Sequence, residues 1–204
     1  MCEAAKNEGC SGKIQALQCD QADEVAVAST VAAVSKISGR IDTLVLNAGL
    51  NVTERRLEQL SNDDWKKVID VNLNGPWYFC QAALPLLRKQ GGGTIINTSS
   101  ICGLRALELG GAAYCASKAG LNALGNMINL EEGKHGIRCT NLCPGEVDTP
   151  ILDRRPTPPS AEKRAQMAQP DDIGEVAVTV AALPARVYIP TICVTGITTL
   201  ELSM

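Results

Sequence analysis

Apolar positions recur along this chain with two periods, one typical of strands and the other of amphipathic helices. Short apolar runs predict strands at residues 14–19, 43–46, 94–98, 137–142 and 192–200. Longer periodic segments between them predict helices at residues 23–38, 61–89, 110–132 and 170–183. Because strands and helices alternate, the pattern indicates an α/β fold with a parallel sheet covered on both faces.

Local signals support several of these boundaries. Ser61 stands three residues before Asp64, the spacing of a capping box at a helix start. Gly136 follows Lys134 and His135, the order that a helix end favours. Residues 1–6 resemble the end of a helix. The polar segment 151–169 predicts a loop, whose arginines we interpret as solvated charges rather than as a site for an acidic substrate.

Composition bounds the class of protein. With 204 residues, 45% of them apolar, the chain is long enough for a single domain spanning 1–204. A net charge of −3 without a long basic run argues against a nucleic-acid partner. No apolar stretch approaches the roughly 20 residues that a membrane helix needs. Nine cysteines without a Cys-x-x-Cys motif suggest reduced thiols and a cytoplasmic location, and a single histidine makes a metal site improbable.

Tyr114 and Lys118 carry the most specific chemistry of the chain. Residues four apart share one helix face, so this spacing places a phenol beside an ammonium group. A nearby cation favours the phenolate, and we expect Lys118 to lower the pKa of Tyr114. The pair is suited to general acid–base chemistry near neutral pH. Alone, the spacing also occurs by chance in many helices.

Polar and small residues follow three of the predicted strands, where parallel sheets bind ligands. Ser99 and Ser100 end one apolar run; Ser100 suits an oxyanion-binding role, with Ser99 as the competing assignment and an ordinary turn as the alternative. Two other runs end in Asn47-Ala48-Gly49 and Pro144-Gly145.

Asn72 stands inside the predicted helix 61–89. Pro76 has no N–H group, so the main-chain carbonyl of Asn72 loses its helical hydrogen bond. A carbonyl freed in this way and facing a cleft is able to bind a water molecule. A solvent-facing asparagine is the alternative interpretation, and Asn74 competes for the same role.

These motifs together resemble the short-chain dehydrogenase/reductase family, and the resemblance covers nearly the whole chain from about residue 12. The family order is matched by Asn47-Ala48-Gly49, Asn72, Ser100, Tyr114 with Lys118, and Pro144-Gly145 through Val147 to Thr149. The resemblance implies a three-layer, Rossmann-like, doubly wound sheet. Ser100 lies one position further from Tyr114 than is usual in the family, which implies an unusual loop between residues 101 and 111.

The resemblance also assigns residues. It implies a catalytic set of Asn72, Ser100, Tyr114 and Lys118, in which Asn72 holds a relay water and Lys118 also binds the nicotinamide ribose. It implies that the cofactor contacts Asp20, Asn47, Ala48, Gly49, Tyr114, Lys118, Pro144, Gly145, Val147 and Thr149. Asp20 would lie near the adenine ring, although an aspartate at a strand end is otherwise a common turn residue.

One part of the family pattern has no counterpart in this sequence. The family begins with a strand, a glycine-rich turn, a helix and a second strand, whereas only about a dozen residues precede the predicted strand 14–19. We therefore expect an N-terminally truncated sheet lacking its first two strands and the helix between them. This expectation leaves strand 43–46 with an unpaired flank, and it predicts weak or no turnover for these 204 residues alone.

Two functions follow as hypotheses. The first is an NAD(P)-dependent oxidoreductase interconverting a secondary alcohol and a ketone or aldehyde, with NADP slightly favoured. The alternative is a non-catalytic variant that pairs with full-length subunits. By resemblance, the helices 61–89 and 110–132 form a homodimer or homotetramer interface.

Overall fold

The structure, a computed structural model, describes residues 12–197. Its centre is a parallel sheet of four strands in the order β1-β2-β3-β4. The strands are β1 Thr43–Leu46, β2 Gly93–Thr98, β3 Ile137–Pro144 and β4 Thr191–Val194. The six α-helices of the described residues are α1 Glu24–Ser38, α2 Asn62–Ile69, α3 Gly75–Gln90, α4 Ala112–Glu132, α5 Ala161–Arg164 and α6 Pro170–Ala182.

Helices cover both faces of the sheet, as the alternating pattern predicts. On one face, Ile95 and Cys139 of the sheet pack in one cluster with side chains of α1, α3 and α4. On the other face, Ile96 and Leu142 pack against α6 around Val180. Neighbouring residues of one strand therefore enter different clusters, as the strand period of two requires. The α/β, three-layer, Rossmann-like expectation is confirmed.

The predicted helix 61–89 is continuous but not uniform. Ser61 accepts a hydrogen bond from the Asp64 N–H group at 3.1 Å and opens α2. A π-helical turn, Asp70–Asn74, then joins α2 to α3, and the Gly75 N–H group bonds to the carbonyl of Asp70, five residues back. Pro76 supplies the physical reason, because it has no N–H group for the α-helical pattern.

The prediction of a strand at residues 14–19 is wrong, since this segment forms no strand. A strand needs a neighbour for its hydrogen bonds, and the described sheet ends at β1. Ile14 and Leu17 are accordingly exposed by 44% and 41%. The final strand is shorter than predicted and ends at Val194. Residues 1–6, with the predicted helix end, and residues 198–200 lie outside the described part of the chain.

β1 forms one flank of the described sheet and pairs only with β2 there. Val45 in this strand is 49% exposed. An inner strand of a parallel sheet is normally buried on both faces. The unpaired flank expected for residues 43–46 is therefore present among the described residues.

None of the described helices is both long and apolar enough to cross a lipid bilayer.

Candidate active site

A cavity of about 610 Å³ opens at the carboxyl ends of the strands. Thr98 at the end of β2, Pro144 at the end of β3 and Asn47 just after β1 all line it. The helix α4 contributes Tyr114 and Lys118 to the same cavity. The fold thus brings together residues from four separate parts of the chain, at the sheet edge where parallel α/β proteins bind ligands.

Tyr114 and Lys118 lie one turn apart on α4, as predicted. The Lys118 ammonium is 5.6 Å from the centre of the Tyr114 ring. Its Nζ donates a hydrogen bond of 2.7 Å to the Thr98 carbonyl, and the lysine is only 3% exposed. The end of β2 therefore fixes the position of the ammonium group beside the phenol.

The expected direction of the Tyr114 pKa is wrong for this structure. Burial, and next the electrostatic effect of Cys102, raise the pKa of Tyr114 to about 12, although a hydrogen bond with the Ser100 hydroxyl opposes the rise. Burial also lowers the pKa of Lys118 to about 8. Desolvation disfavours the charged form of each group and outweighs the attraction that sequence spacing suggested. At neutral pH the phenol therefore holds its proton firmly.

The structure separates the roles of the two serines at the end of β2. The Ser99 hydroxyl donates to the main-chain carbonyl of Lys118 at 3.3 Å and so ties the strand end to α4. The Ser100 hydroxyl accepts from the Cys102 N–H group at 3.1 Å, and the Ser100 side chain opposes the rise of the Tyr114 pKa. Ser100, rather than Ser99, is therefore the serine that acts on Tyr114.

Asn72 is fully buried in the π-helical turn. Its side chain bonds both main-chain groups of Leu50, accepting from N–H at 2.8 Å and donating to the carbonyl at 2.9 Å. It also donates to the Ser117 hydroxyl at 3.1 Å, which joins the turn after β1 to α4. Asn74 instead bonds Asp70 on its own helix. The water-binding role of the Asn72 carbonyl stays a prediction.

The three residues Asn47-Ala48-Gly49, which follow β1, have different surroundings. Asn47 and Gly49 line the cavity, whereas the Ala48 carbonyl accepts a hydrogen bond of 3.1 Å from Gln21. A methyl group built on Gly49 would lie 3.3 Å from the Lys118 ammonium nitrogen and 3.4 Å from Asn72 Oδ1. Glycine here leaves open the space directly in front of the lysine.

The segment after β3 forms the opposite wall of the cavity. Pro144, Gly145, Val147 and Thr149 all line it, as the sequence predicts for a ligand-facing turn. The Gly145 N–H group bonds the Val194 carbonyl at 2.8 Å. A side chain on Gly145 would meet Cγ2 of Thr195, the residue after β4, at 2.8 Å, so glycine permits this close approach.

Asp20 does not reach this cavity. It lines a separate shallow cleft beside Lys66 and Lys67 of α2. Its carboxylate accepts a hydrogen bond of 2.9 Å from the Ala22 N–H group, as a turn residue does. This hydrogen bond fits the turn role that the sequence left open, and a contact of Asp20 with the adenine ring stays a prediction.

Sequence reasoning missed three charged residues that line the cavity: Arg55, Glu146 and Arg155. Arg155 is not a solvated charge as expected. Its guanidinium lies 2.7 Å from the Glu146 carboxylate, and the two side chains are only 13% and 5% exposed. Arg55 lies in a polar segment with Glu54 and Arg56, which offered no signal that its side chain is buried.

Comparison with known proteins identifies the family. A family model for short chain dehydrogenase matches residues 1–159. A 3beta-hydroxysteroid dehydrogenase from Mediterraneibacter gnavus is 34% identical over 165 residues, which are 81% of this chain and 58% of that protein. A (3R)-3-hydroxyacyl-CoA dehydrogenase from Mus musculus is 33% identical over 177 residues, 84% of this chain and 68% of that protein. The chain thus spans roughly three fifths to two thirds of these curated relatives.

Solved structures give the same result. The closed form of serine dehydrogenase complexed with NADP+ superposes with a TM-score of 0.85 at 29% identity, covering 96% of this chain and 81% of that one. An alcohol dehydrogenase from Thermococcus sibiricus complexed with 5-hydroxy-NADP gives a TM-score of 0.82 at 28% identity, with 96% and 79% covered. The fold, the cavity and these relatives together show that the chain belongs to the short-chain dehydrogenase/reductase family of oxidoreductases.

Proposed function

We propose that this protein is an NAD(P)-dependent oxidoreductase that interconverts a secondary alcohol and a ketone or aldehyde. One observation carries the proposal: Ser100, Tyr114 and Lys118 line the same cavity, and the Lys118 ammonium lies 5.6 Å from the centre of the tyrosine ring. A proton donor, a second hydroxyl for the same oxygen and a cation are the groups that carbonyl reduction requires.

In carbonyl reduction, Tyr114 is the general acid. Its raised pKa keeps the proton on the phenol until negative charge develops on the substrate oxygen. Ser100 donates a second hydrogen bond to that oxygen, and Lys118 stabilises the phenolate left behind. In alcohol oxidation the same groups run in reverse, with Tyr114 as the base. A bound nicotinamide cofactor supplies or accepts the hydride.

The residues of the cavity fit the nicotinamide half of such a cofactor. The space in front of Gly49 reaches the Lys118 ammonium, which would bind a ribose hydroxyl of the cofactor. Asn47 on one wall, with Pro144, Gly145, Val147 and Thr149 on the other, would bracket the ring and its carboxamide. Asp20 lies outside this space, so we confine the proposed contacts of the described residues to the cavity itself.

For the cofactor, NADP remains slightly favoured in this proposal. Two of the similar structures are described as complexes with NADP+ and with 5-hydroxy-NADP. A relative from Mycobacterium tuberculosis, 38% identical over 142 residues, is named an NAD-dependent oxidoreductase. Both cofactors therefore belong in the test.

We also propose that the protein assembles through the predicted helices 61–89 and 110–132. Large apolar side chains are exposed on both: Trp65 and Trp77 on the first, Met127 and Leu130 on the second, by 40%, 45%, 46% and 78%. A homodimer or homotetramer would cover them. The same surface would serve the alternative function, in which this chain is a non-catalytic partner of longer subunits.

The proposed compartment is the cytoplasm. The described cysteines, seven in number, are all unpaired, and four of them are buried in the core. Free buried thiols suit a reducing environment.

The test is a titration of the purified protein with NADPH and with NADH, followed by nicotinamide fluorescence. We expect saturable binding that is lost in Gly49→Val, whose side chain would fill the space before Lys118. Gly133→Val is the matched control, because Gly133 is exposed with open space around it. A folded protein that binds neither nucleotide would contradict the proposal.

A further inference from the structure

The side chains that line the cavity carry more positive than negative charge. Among the described residues that line the cavity, the cations are Arg55, Lys118 and Arg155, and the one carboxylate is Glu146. Lys118 is already held by the Thr98 carbonyl beside the proposed cofactor space. The remaining two guanidinium groups therefore face a single carboxylate.

Glu146 is committed to Arg155. Their closest atoms are 2.7 Å apart, and both side chains are largely shielded from water, which strengthens the pairing. The second oxygen of Glu146, Oε2, is buried without a hydrogen-bond partner among the described residues. This ion pair neutralises Arg155, and no carboxylate of residues 12–197 forms a salt bridge with Arg55.

Arg55 is a buried cation held by neutral groups. It is 6% exposed, and it donates to the carbonyls of Leu109 at 3.0 Å and Arg154 at 2.6 Å. Its Nε is buried with no partner among the described residues. A buried charge without an opposite charge is costly, and a bound anion relieves that cost. Burial and repulsion from Arg155 both lower the pKa of Arg55, in keeping with a missing counter-ion.

Arg55 also acts on the reacting group. It lines the same cavity as Tyr114, and its charge lowers the pKa of that tyrosine, against the larger effect of burial. Ile101, Leu107 and Leu109 supply apolar walls to the same cavity. A short apolar link between the oxygen at Tyr114 and an anion at Arg55 matches this arrangement.

We propose that the substrate is a small hydroxy or oxo acid whose carboxylate binds Arg55, while its alcohol or carbonyl oxygen lies between Ser100 and Tyr114. This inference rests on the proposed function and names its substrate class. Arg55 is then the residue that selects anionic over neutral alcohols. Glu146, by neutralising Arg155, determines how large this preference is.

The test compares two ligands of nearly equal shape, 3-hydroxybutyrate and its neutral amide, 3-hydroxybutyramide. Binding of each to the purified protein is measured by calorimetry, with and without NADP+. We expect the carboxylate to bind about tenfold more tightly, the effect of one charged hydrogen bond. In Arg55→Gln this preference should fall to about one.

A second variant keeps the test informative if Arg55→Gln fails to fold. Glu146→Gln removes the competing carboxylate and frees Arg155, so the preference for 3-hydroxybutyrate should increase above that of the unaltered protein. Damage to the fold alone would weaken the binding of both ligands and would not increase the preference for one of them. Equal binding of the two ligands to the unaltered protein, or no increase in Glu146→Gln, would overturn the inference.

The binding measurement also separates this inference from the proposed function. Oxidation of a neutral alcohol such as 2-butanol, without any preference for the carboxylate, would overturn the substrate class while the oxidoreductase stands. An Arg55-dependent preference in a protein that oxidises no alcohol would support the anion site and contradict the oxidoreductase.

Discussion

Burial shifts the two central ionisable groups of the cavity in opposite directions. The pKa of Tyr114 rises to about 12, and that of Lys118 falls to about 8. A phenol that keeps its proton and an ammonium that readily loses one form a pair suited to a proton relay. The apolar surroundings, rather than the charge of the lysine, set the protonation states before a ligand binds.

Lys118 predicts a dependence of stability on pH. Between pH 8 and 10.5 the unfolded chain keeps its lysine protonated while the folded chain has lost that proton. The unfolded state binds more protons, so the free energy of unfolding rises with pH in this window, by at most about 1.4 kcal/mol per pH unit. Chemical denaturation at a series of pH values measures this slope.

The comparison for this experiment is Lys118→Met, which keeps the apolar stem without the amine. Tyr114 and the buried thiols, such as Cys80 and Cys102, have raised pKa values that act in the opposite sense at alkaline pH. They are present in both proteins, so the difference between the two isolates the lysine. Equal slopes would show that burial does not displace the Lys118 proton.

At the scale of elements, α4 approaches the sheet at Gly125. Asn97 of β2 and Asn141 of β3 are paired in register, are fully buried, and bond each other through their side chains at 3.0 Å. A methyl group on Gly125 would lie 2.2 Å from Asn141 Oδ1 and 2.8 Å from Asn97 Nδ2. This close contact sets the distance between the sheet and the helix that carries Tyr114.

Gly125→Ala should therefore destabilise the protein despite the higher helix propensity of alanine. Overpacking at such a contact costs about 1–3 kcal/mol, which a denaturation midpoint detects. Gly133→Ala is the control, since nothing lies within 4 Å of its added methyl group and its φ of −55° suits any residue. A stability of Gly125→Ala equal to that of the control would contradict the packing described here.

Elements with strong periodic patterns were predictable from sequence, and those that depend on distant neighbours were not. α4 and β2 end within two residues of their predicted limits, because one buried face fixes each pattern. Residues 14–19 have an apolar pattern but no strand beside them in the described sheet. The π-helical turn at Asp70–Asn74 also escaped, although Pro76 marked an irregularity there.

Across residues 12–197, β1 pairs with β2 alone, and no other strand of this range covers its second flank. Unpaired strand edges promote association between chains, and a charged residue suppresses it. Val45→Lys places a cation in the middle of this strand, where the valine is 49% exposed. We expect less concentration-dependent light scattering from this variant than from the unaltered protein.

The control for this experiment is Val25→Lys. Val25 is 73% exposed and belongs to α1, so the variant adds the same charge without changing a strand residue. If both variants reduce scattering equally, net charge rather than the β1 edge governs association.

Contacts between residues far apart in the chain explain which parts of the site were predictable from the sequence and which were not. Positions at strand ends or on a helix face identified four cavity residues from the sequence: Asn47, Ser100, Tyr114 and Pro144. Arg55 is buried only because residues 54 and 99 positions further along the chain supply its carbonyl partners. No local pattern encodes such contacts, so the anion-binding end of the cavity emerged from the structure alone.

If Tyr114 moves a proton during hydride transfer, its loss must slow that transfer, and an isotope measurement shows whether it does. The protein is incubated with NADP+ or NAD+ and with an alcohol that carries deuterium on its alcohol carbon, either 3-hydroxybutyrate or 2-butanol. Mass spectrometry then measures how much deuterium the reduced cofactor contains. This readout registers even slow turnover. We expect deuterium to appear in the reduced cofactor, and the rate of its transfer to fall about 10²–10⁴-fold in Tyr114→Phe. Transfer by Tyr114→Phe at the rate of the unaltered protein would contradict the role of Tyr114 as the proton donor and acceptor.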